Sequence, residues 1–335
     1  MHFSRNFGAL VLALASPALH AQTSALALTS GAAAQALYTQ WFAPQATQSQ
    51  RSAQQLQQAL QHYCAGEATT LDAVRQQFVH TSRDWQRLSA VAMGPQVERR
   101  TARMVDFQPI RLQQLQSALL KVPQSLEDME RIGAPAKGFP VLEHLLWTVV
   151  VQPKTPSCQY ATLVAADTAQ ELQALQQDLQ KTVQQATPDF ESNSEFLNQW
   201  VGGLDRLRWL SMEKPLRRAS EAKPAQVTRM ASGDTLAHWL AQWQALRALA
   251  VGDAQQPNLH TSIVAMIEAR GWSRLAQELR DAVQATDAAM SQIQQVNLAS
   301  VLPASKALGQ LKHLVENEVA LALDVSIGFS DADGD

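Results

Sequence analysis

Gly138-Phe-Pro-Val-Leu-Glu-His-Leu-Leu-Trp147 is the stretch in which a chemically loaded residue sits inside an apolar helix. At a helical advance of about 100° per residue, Leu142, Leu145, Leu146 and Val149 form one stripe, with Glu143 on its flank beside Trp147 and Val150. A helix that is apolar nearly all round is a buried helix. A carboxylate carried into such a place must be paired, hydrogen-bonded or protonated. Glu143 is therefore either a carboxylate that pairs with an arginine and fastens two parts of the molecule, or a wall of a ligand or metal pocket.

The rest of the chain repeats the helical signature. Thr70 is placed to cap a helix whose inward stripe runs Val74, Phe78, Trp85, Leu88 and Ala92 before Gly94-Pro95 stops it. Helices are expected over 27–65 with Pro44 as a break, after Pro109, and from Ser125 to residue 132. The pattern continues over 159–186, and Ser192 with Glu195 reads as a capping box for the next helix. Beyond it, Gly202-Gly203 reads as a soft spot and 217–233 as a polar, basic loop. Further helices are expected over 235–251, 259–270, 273–296 and 304–324. No segment shows sustained period-two alternation. The fold class is all-α, and long helices with short connections pack most naturally as bundles.

With 335 residues the chain has room for two domains at roughly 100–200 residues each. Hydrophobic residues make up 46%, enough for real cores. Residues 1–21 read as a signal peptide: Arg5, an apolar run from Phe7 to Ala15, then Ser16-Pro-Ala-Leu-His-Ala21, with cleavage after Ala18 or Ala21. The apolar run falls short of the ~20 residues a membrane span needs, and no later segment reaches that length. Removal of Arg5 lowers the formal charge from −3 to −4. That balance lacks the basic footprint of a nucleic-acid binder. The expected division is 22–187 and 188–335, with Thr187-Pro188-Asp189 as the boundary.

Export decides how the two cysteines are read. In an oxidising compartment a Cys64–Cys158 disulfide is the default, and two separate buried thiols are the alternative. Such a bridge would stabilise the fold by about 4–5 kcal/mol in the chain-entropy model.

The Gly138 segment resembles the signature of the imelysin-like family, secreted and periplasmic helical proteins often associated with iron uptake. In its peptidase-like members the segment reads Gly-x-His-x-x-Glu; Gly138 and Glu143 match, and Pro140 stands at the His position. Tyr63-Cys64, Arg83-Asp-Trp85 with Gly94-Pro95, Cys158-Gln-Tyr160, Glu213-Lys-Pro-Leu-Arg217 and the terminal Gly328 to Asp335 resemble further landmarks in the same order. The resemblance implies two helical bundles side by side, with the signature near their junction. It also implies a periplasmic location, iron-uptake or outer-membrane components as partners, and iron or another divalent metal as cofactor.

Proline changes the chemistry of that motif. It has no donor atom for a metal and cannot act as a base, yet it is comfortable in the first turn of a helix. His144 lies about 100° round from Glu143 and does not share its face. A His-Glu-x-x-His zinc-protease motif, a Gly-x-Ser-x-Gly elbow and a phosphate-cradling glycine loop are all absent from the sequence. His313 with Glu316 reads as a solvated pair, and the acidic tail ends too early for an EF-hand loop.

The candidate cleft set is Glu143, Trp85, Arg208, Lys214 and Arg217. Arg208 is the first choice as counter-ion of Glu143, and Trp85 has a core reading as well as a cleft one. The reading that follows is a periplasmic binding or accessory protein, linked to iron uptake and not an active peptidase. A metallopeptidase with an unrecognised site, and a structural partner of a periplasmic or outer-membrane assembly, are the alternatives.

Overall fold

The structure is a computed structural model that describes residues 32–185, 190–222, 224–253 and 259–328. The expected signal peptide over 1–21, the expected boundary at 187–189 and the acidic tail after Gly328 lie outside the described residues. Among the described residues there are helices and connections and no strand. Eight helices frame the molecule: α1 (Ala43–Ala65), α2 (Leu71–Ser89), α3 (Gly138–Glu143), α4 (Pro156–Gln185), α5 (Phe190–Asp205), α6 (Thr235–Val251), α7 (Ser273–Ser291) and α8 (Leu298–Leu314).

Helix α1 packs on α2 and α4, and α3 lies against α4. Helices α7 and α8 pair in the second half, and α6 packs back on α2. The expected stripe of α2 is buried at Val74, Phe78, Trp85 and Leu88. Five tryptophans, Trp41, Trp85, Trp200, Trp239 and Trp243, are almost fully enclosed. Two of them find polar partners for the indole N–H: Trp200 donates to the Leu246 carbonyl at 2.8 Å and Trp243 to Asp287 Oδ1 at 2.7 Å.

Local signals set several helix starts. The Thr70 side chain accepts from Ala73 N at 3.2 Å, and Ser125 accepts from Asp128 N at 3.2 Å. Cys64 and Cys158 form a disulfide with Cα atoms 5.5 Å apart, tying the end of α1 to the start of α4.

Three expectations, the break at Pro44, the helix start at 304 and the Ser192 capping box, need correction. Pro44 does not break its helix: Ala32–Leu37 runs into a π-helical turn, Tyr38–Phe42, and straight on into α1. Pro44 cannot donate to the carbonyl one turn before it, and the wider turn just upstream absorbs that loss. Pro303 lies inside α8, which starts at Leu298 because Asn297 Oδ1 accepts from Ser300 N at 2.9 Å. Ser192 lies within α5, which begins at Phe190, and Glu195 reaches instead to Gly94 N at 3.2 Å.

Gly203 is a contact point rather than a soft spot. A Cβ there would sit 2.4 Å from the Ala90 carbonyl oxygen and 2.8 Å from Leu246. Only glycine lets α5 approach the end of α2 so closely, and Arg206 Nη2 adds a 3.1 Å hydrogen bond to the same carbonyl.

Candidate functional site

The signature helix starts under tight backbone control. Gly138 has φ +78°, and a Cβ there would lie 2.4 Å from the Val105 carbonyl oxygen. Both the left-handed conformation and the close approach select glycine. Pro140 occupies the first turn of α3, where its missing N–H costs nothing.

After Glu143 the helix widens into a π-helical stretch, His144–Val149. The Leu146 carbonyl is taken by the Arg75 guanidinium, at 3.1 Å from Nε and 2.8 Å from Nη2. The wider turn shifts the stripe: Leu142, Leu145 and Leu146 are fully buried, but Val149 is 48% exposed. A regular α-helical advance would place it on the buried face.

Glu143 is buried; one of its oxygens is hydrogen-bonded, and the other faces a guanidinium beyond hydrogen-bond distance. Oε1 accepts from the Ser232 N–H at 2.9 Å and from the Ser232 hydroxyl at 2.7 Å. Oε2 lies 3.9 Å from Arg229 Nη1. Arg229 is itself wholly enclosed. Its Nη2 donates to Asp106 Oδ2 at 2.8 Å and its Nε to Ser82 Oγ at 3.0 Å. The guanidinium also lies over Phe78 and Phe139, with ring centroids 5.7 Å and 5.5 Å away. Arg229 thus joins α2, α3 and the 224–234 loop at one buried charge.

The same loop is tied down at its far end. Asp234 accepts both Arg83 Nε contacts, at 3.1 Å and 3.0 Å, and a shorter one from Nη2. His238, one turn into α6, is enclosed beside these cations. Burial, then the charges of Arg229 and Arg83, hold its pKa well below the usual imidazole value, so it is neutral in the fold.

Arg208 does not fill the role of counter-ion. It pairs with Asp205 at 2.9 Å and approaches Glu213 at 3.9 Å. The residue beside Glu143 is Arg229, from the stretch expected to be only a polar, basic loop. Ser232 was missed as well. A helix-face argument orders residues on one helix and is blind to which distant loop crosses it.

An open cleft of 840 Å³ begins at this carboxylate. It is lined by Pro140, Glu143, His144 and Thr148 from the signature helix and by Leu210, Lys214, Pro215 and Arg218. Residues 108–110 with Leu112 and the 224–231 loop complete it. Both groups stand where helices widen: the second follows the π-helical stretch Arg206–Glu213, just ahead of Pro215. Glu143 and His144, expected on different faces, both line the cleft. Burial lowers the His144 pKa, so it too is neutral near pH 7.

Of the candidate set, Glu143 and Lys214 line this cleft, and Trp85, Arg208 and Arg217 do not. Trp85 is 2% exposed within the core. Arg217 Nε donates to Glu213 Oε2 at 2.7 Å. Glu213 is buried and also accepts from Ser305 Oγ. Burial pushes the Glu213 pKa up, but the hydrogen bonds from Ser305 and Arg217 and the arginine charges bring it below its ordinary value.

The donor set does not fit a divalent metal at Glu143. Ser232 occupies one carboxylate oxygen, a guanidinium faces the other, and Pro140 offers no ligand atom. Among the described residues no group of three or more His, Cys, Asp or Glu is arranged to hold an ion.

The imelysin family model (peptidase M75) matches residues 42–321. An imelysin-like protein from Psychrobacter arcticum 273-4 has the same fold, with a TM-score of 0.76 at 16% identity, covering 95% of this chain and 100% of that one. A protein provisionally named iron-regulated protein A precursor, from Parabacteroides distasonis ATCC 8503, gives a TM-score of 0.72 at 12% identity, covering 88% and 94%. No curated protein matches the sequence. No described helix is long and apolar enough to cross a membrane. The family model spans both the signature helix and the loop that clasps Glu143, and the chain belongs to the imelysin family.

Proposed function

We propose that this chain is a periplasmic binding or accessory protein, linked to iron acquisition, and that it does not cleave peptides. The observation that carries the reading is the state of Glu143. Its carboxylate is held by the two Ser232 donors and faced by Arg229, with Pro140 one turn upstream. A metal site needs a second ligand, which Pro140 cannot supply, and the Glu143 oxygen that Ser232 leaves open faces the Arg229 guanidinium rather than a nucleophile. Here the acid ties a loop to a helix and so shapes the cleft. The iron link draws on the name of the iron-regulated structural neighbour, and the location on the signal-like residues 1–21 and the disulfide.

The test uses mature protein incubated with unfolded casein, with and without added zinc, iron or calcium. Casein should remain intact in every case, and Glu143→Gln should behave identically. Metal-dependent cleavage that disappears in a folded Glu143→Gln variant would overturn the reading.

A further inference from the structure

We propose that the cleft beside Glu143 takes a small amphipathic anion, its anionic head held by Lys214 and Arg218. This rests on the binding reading above and specifies the ligand chemistry.

The charge pattern of the lining is lopsided. Among the described lining residues the one carboxylate is Glu143, whose Oε1 is taken by Ser232 and whose Oε2 faces the Arg229 guanidinium at 3.9 Å. The imidazole of the lining, His144, is kept neutral by burial. Arg229 is committed to Asp106 and Ser82. Lys214 and Arg218 remain, and neither has an ion-pair or side-chain hydrogen-bond partner among the described residues. Glu213, the acid adjacent to Lys214 in sequence, is already occupied by Arg217 and Ser305. Two uncommitted cations four residues apart on one wall form a donor pair for carboxylate or phosphate oxygens.

The remainder of the lining mixes apolar side chains with Gln108, Thr148, Gln226 and Thr228. Leu112, Leu210 and Met230 are 50%, 36% and 54% exposed, unusual for large apolar side chains grouped about one opening. With Ile110 and Val227 they offer a greasy surface next to the cationic wall. The volume of 840 Å³ falls in the range of about 300–1,000 Å³ typical of small-molecule clefts. An inorganic ion would leave that surface wet, and a neutral apolar ligand would leave two cations unanswered. An anion with an apolar body satisfies both.

The probe is anilinonaphthalenesulfonate, a fluorescent amphipathic anion, titrated into folded mature protein. Saturable binding is expected, weakening as sodium chloride is raised. Decanoate or decyl phosphate should displace it, and decyltrimethylammonium should not. Displacement by decanoate alone identifies a carboxylate head, by decyl phosphate alone a phosphate head. The double variant Lys214→Gln/Arg218→Gln should bind at least about tenfold more weakly, the scale of one charge-assisted hydrogen bond. Unchanged affinity in the folded double variant would overturn the proposal. So would equal displacement by the cationic amphiphile, or wild-type affinity indifferent to salt, and both of these are read even if the variant fails to fold. The two readings fail separately: casein cleavage refutes the binding role, whereas these outcomes refute only the ligand class.

Discussion

Replacing Arg229 with methionine tests the buried charge that organises the site. Methionine keeps most of the volume, so the cost reports lost interactions rather than an empty cavity. The substitution removes a 2.8 Å ion pair to Asp106, a 3.0 Å hydrogen bond to Ser82 and the cationic partner of two phenylalanine rings. The Glu143 contact at 3.9 Å is longer and adds less. Removing one member of a buried ion pair costs about 3–5 kcal/mol, because the partner charge is left uncompensated. Arg208→Met is the control. That guanidinium is 30% exposed and pairs with Asp205 at 2.9 Å. A loss of roughly 1 kcal/mol is expected there. Urea titration with the disulfide intact separates the two. With a slope near 3 kcal/mol per molar, Arg229→Met should move the midpoint by roughly 1 M or more, and Arg208→Met by about a third of that. A shift for Arg229→Met no larger than for Arg208→Met would refute the assignment of Arg229 as the buried linchpin.

Three further outcomes follow from the geometry. His238 is neutral in the fold and protonates in the unfolded chain below its ordinary value of 6.5, so stability should fall as pH drops through that value. One proton refused by the native state gives a slope of up to about 1.4 kcal/mol per pH unit, and His238→Phe should flatten the melting temperature's acid dependence by that share. Thiol titration of unfolded, unreduced protein should find no free thiol, and reduction should lower stability by about 4–5 kcal/mol for the 94-residue separation. Gly203→Ala should destabilise by about 1–3 kcal/mol through its clash with the Ala90 carbonyl. Gly309→Ala, in a helix with its nearest outside atom 3.7 Å away, should be neutral or stabilising by up to about 1 kcal/mol in the same denaturant assay.

Much of the helical frame was readable along the chain. Thr70 and Ser125 cap where expected, and the α2 stripe is buried as its period requires. Those signals are local: a cap needs a partner three residues on, and a stripe needs only its own helix. The misreadings have a common source in proline and in π-helical turns. Pro44 reads as a break because it removes a backbone donor, yet a wider turn absorbs the loss, and the last helix starts six residues before the expected 304 and carries Pro303 in its first turns. Val149 reads as buried only if the helix stays regular past Glu143.

From the amino acids alone came the all-α class, the burial of Glu143 and its need for partners, and Pro140 where a ligand would otherwise stand. The identity of those partners came only from the tertiary structure: Ser232 and Arg229 reach Glu143 from a loop almost ninety residues away in the chain. The same is true of the cleft, which exists because two widened helices and that loop come together. Helix period and capping are properties of neighbours in sequence. Which charge neutralises a buried acid is settled by the approach of distant segments, and nothing in the residues near Glu143 encodes it.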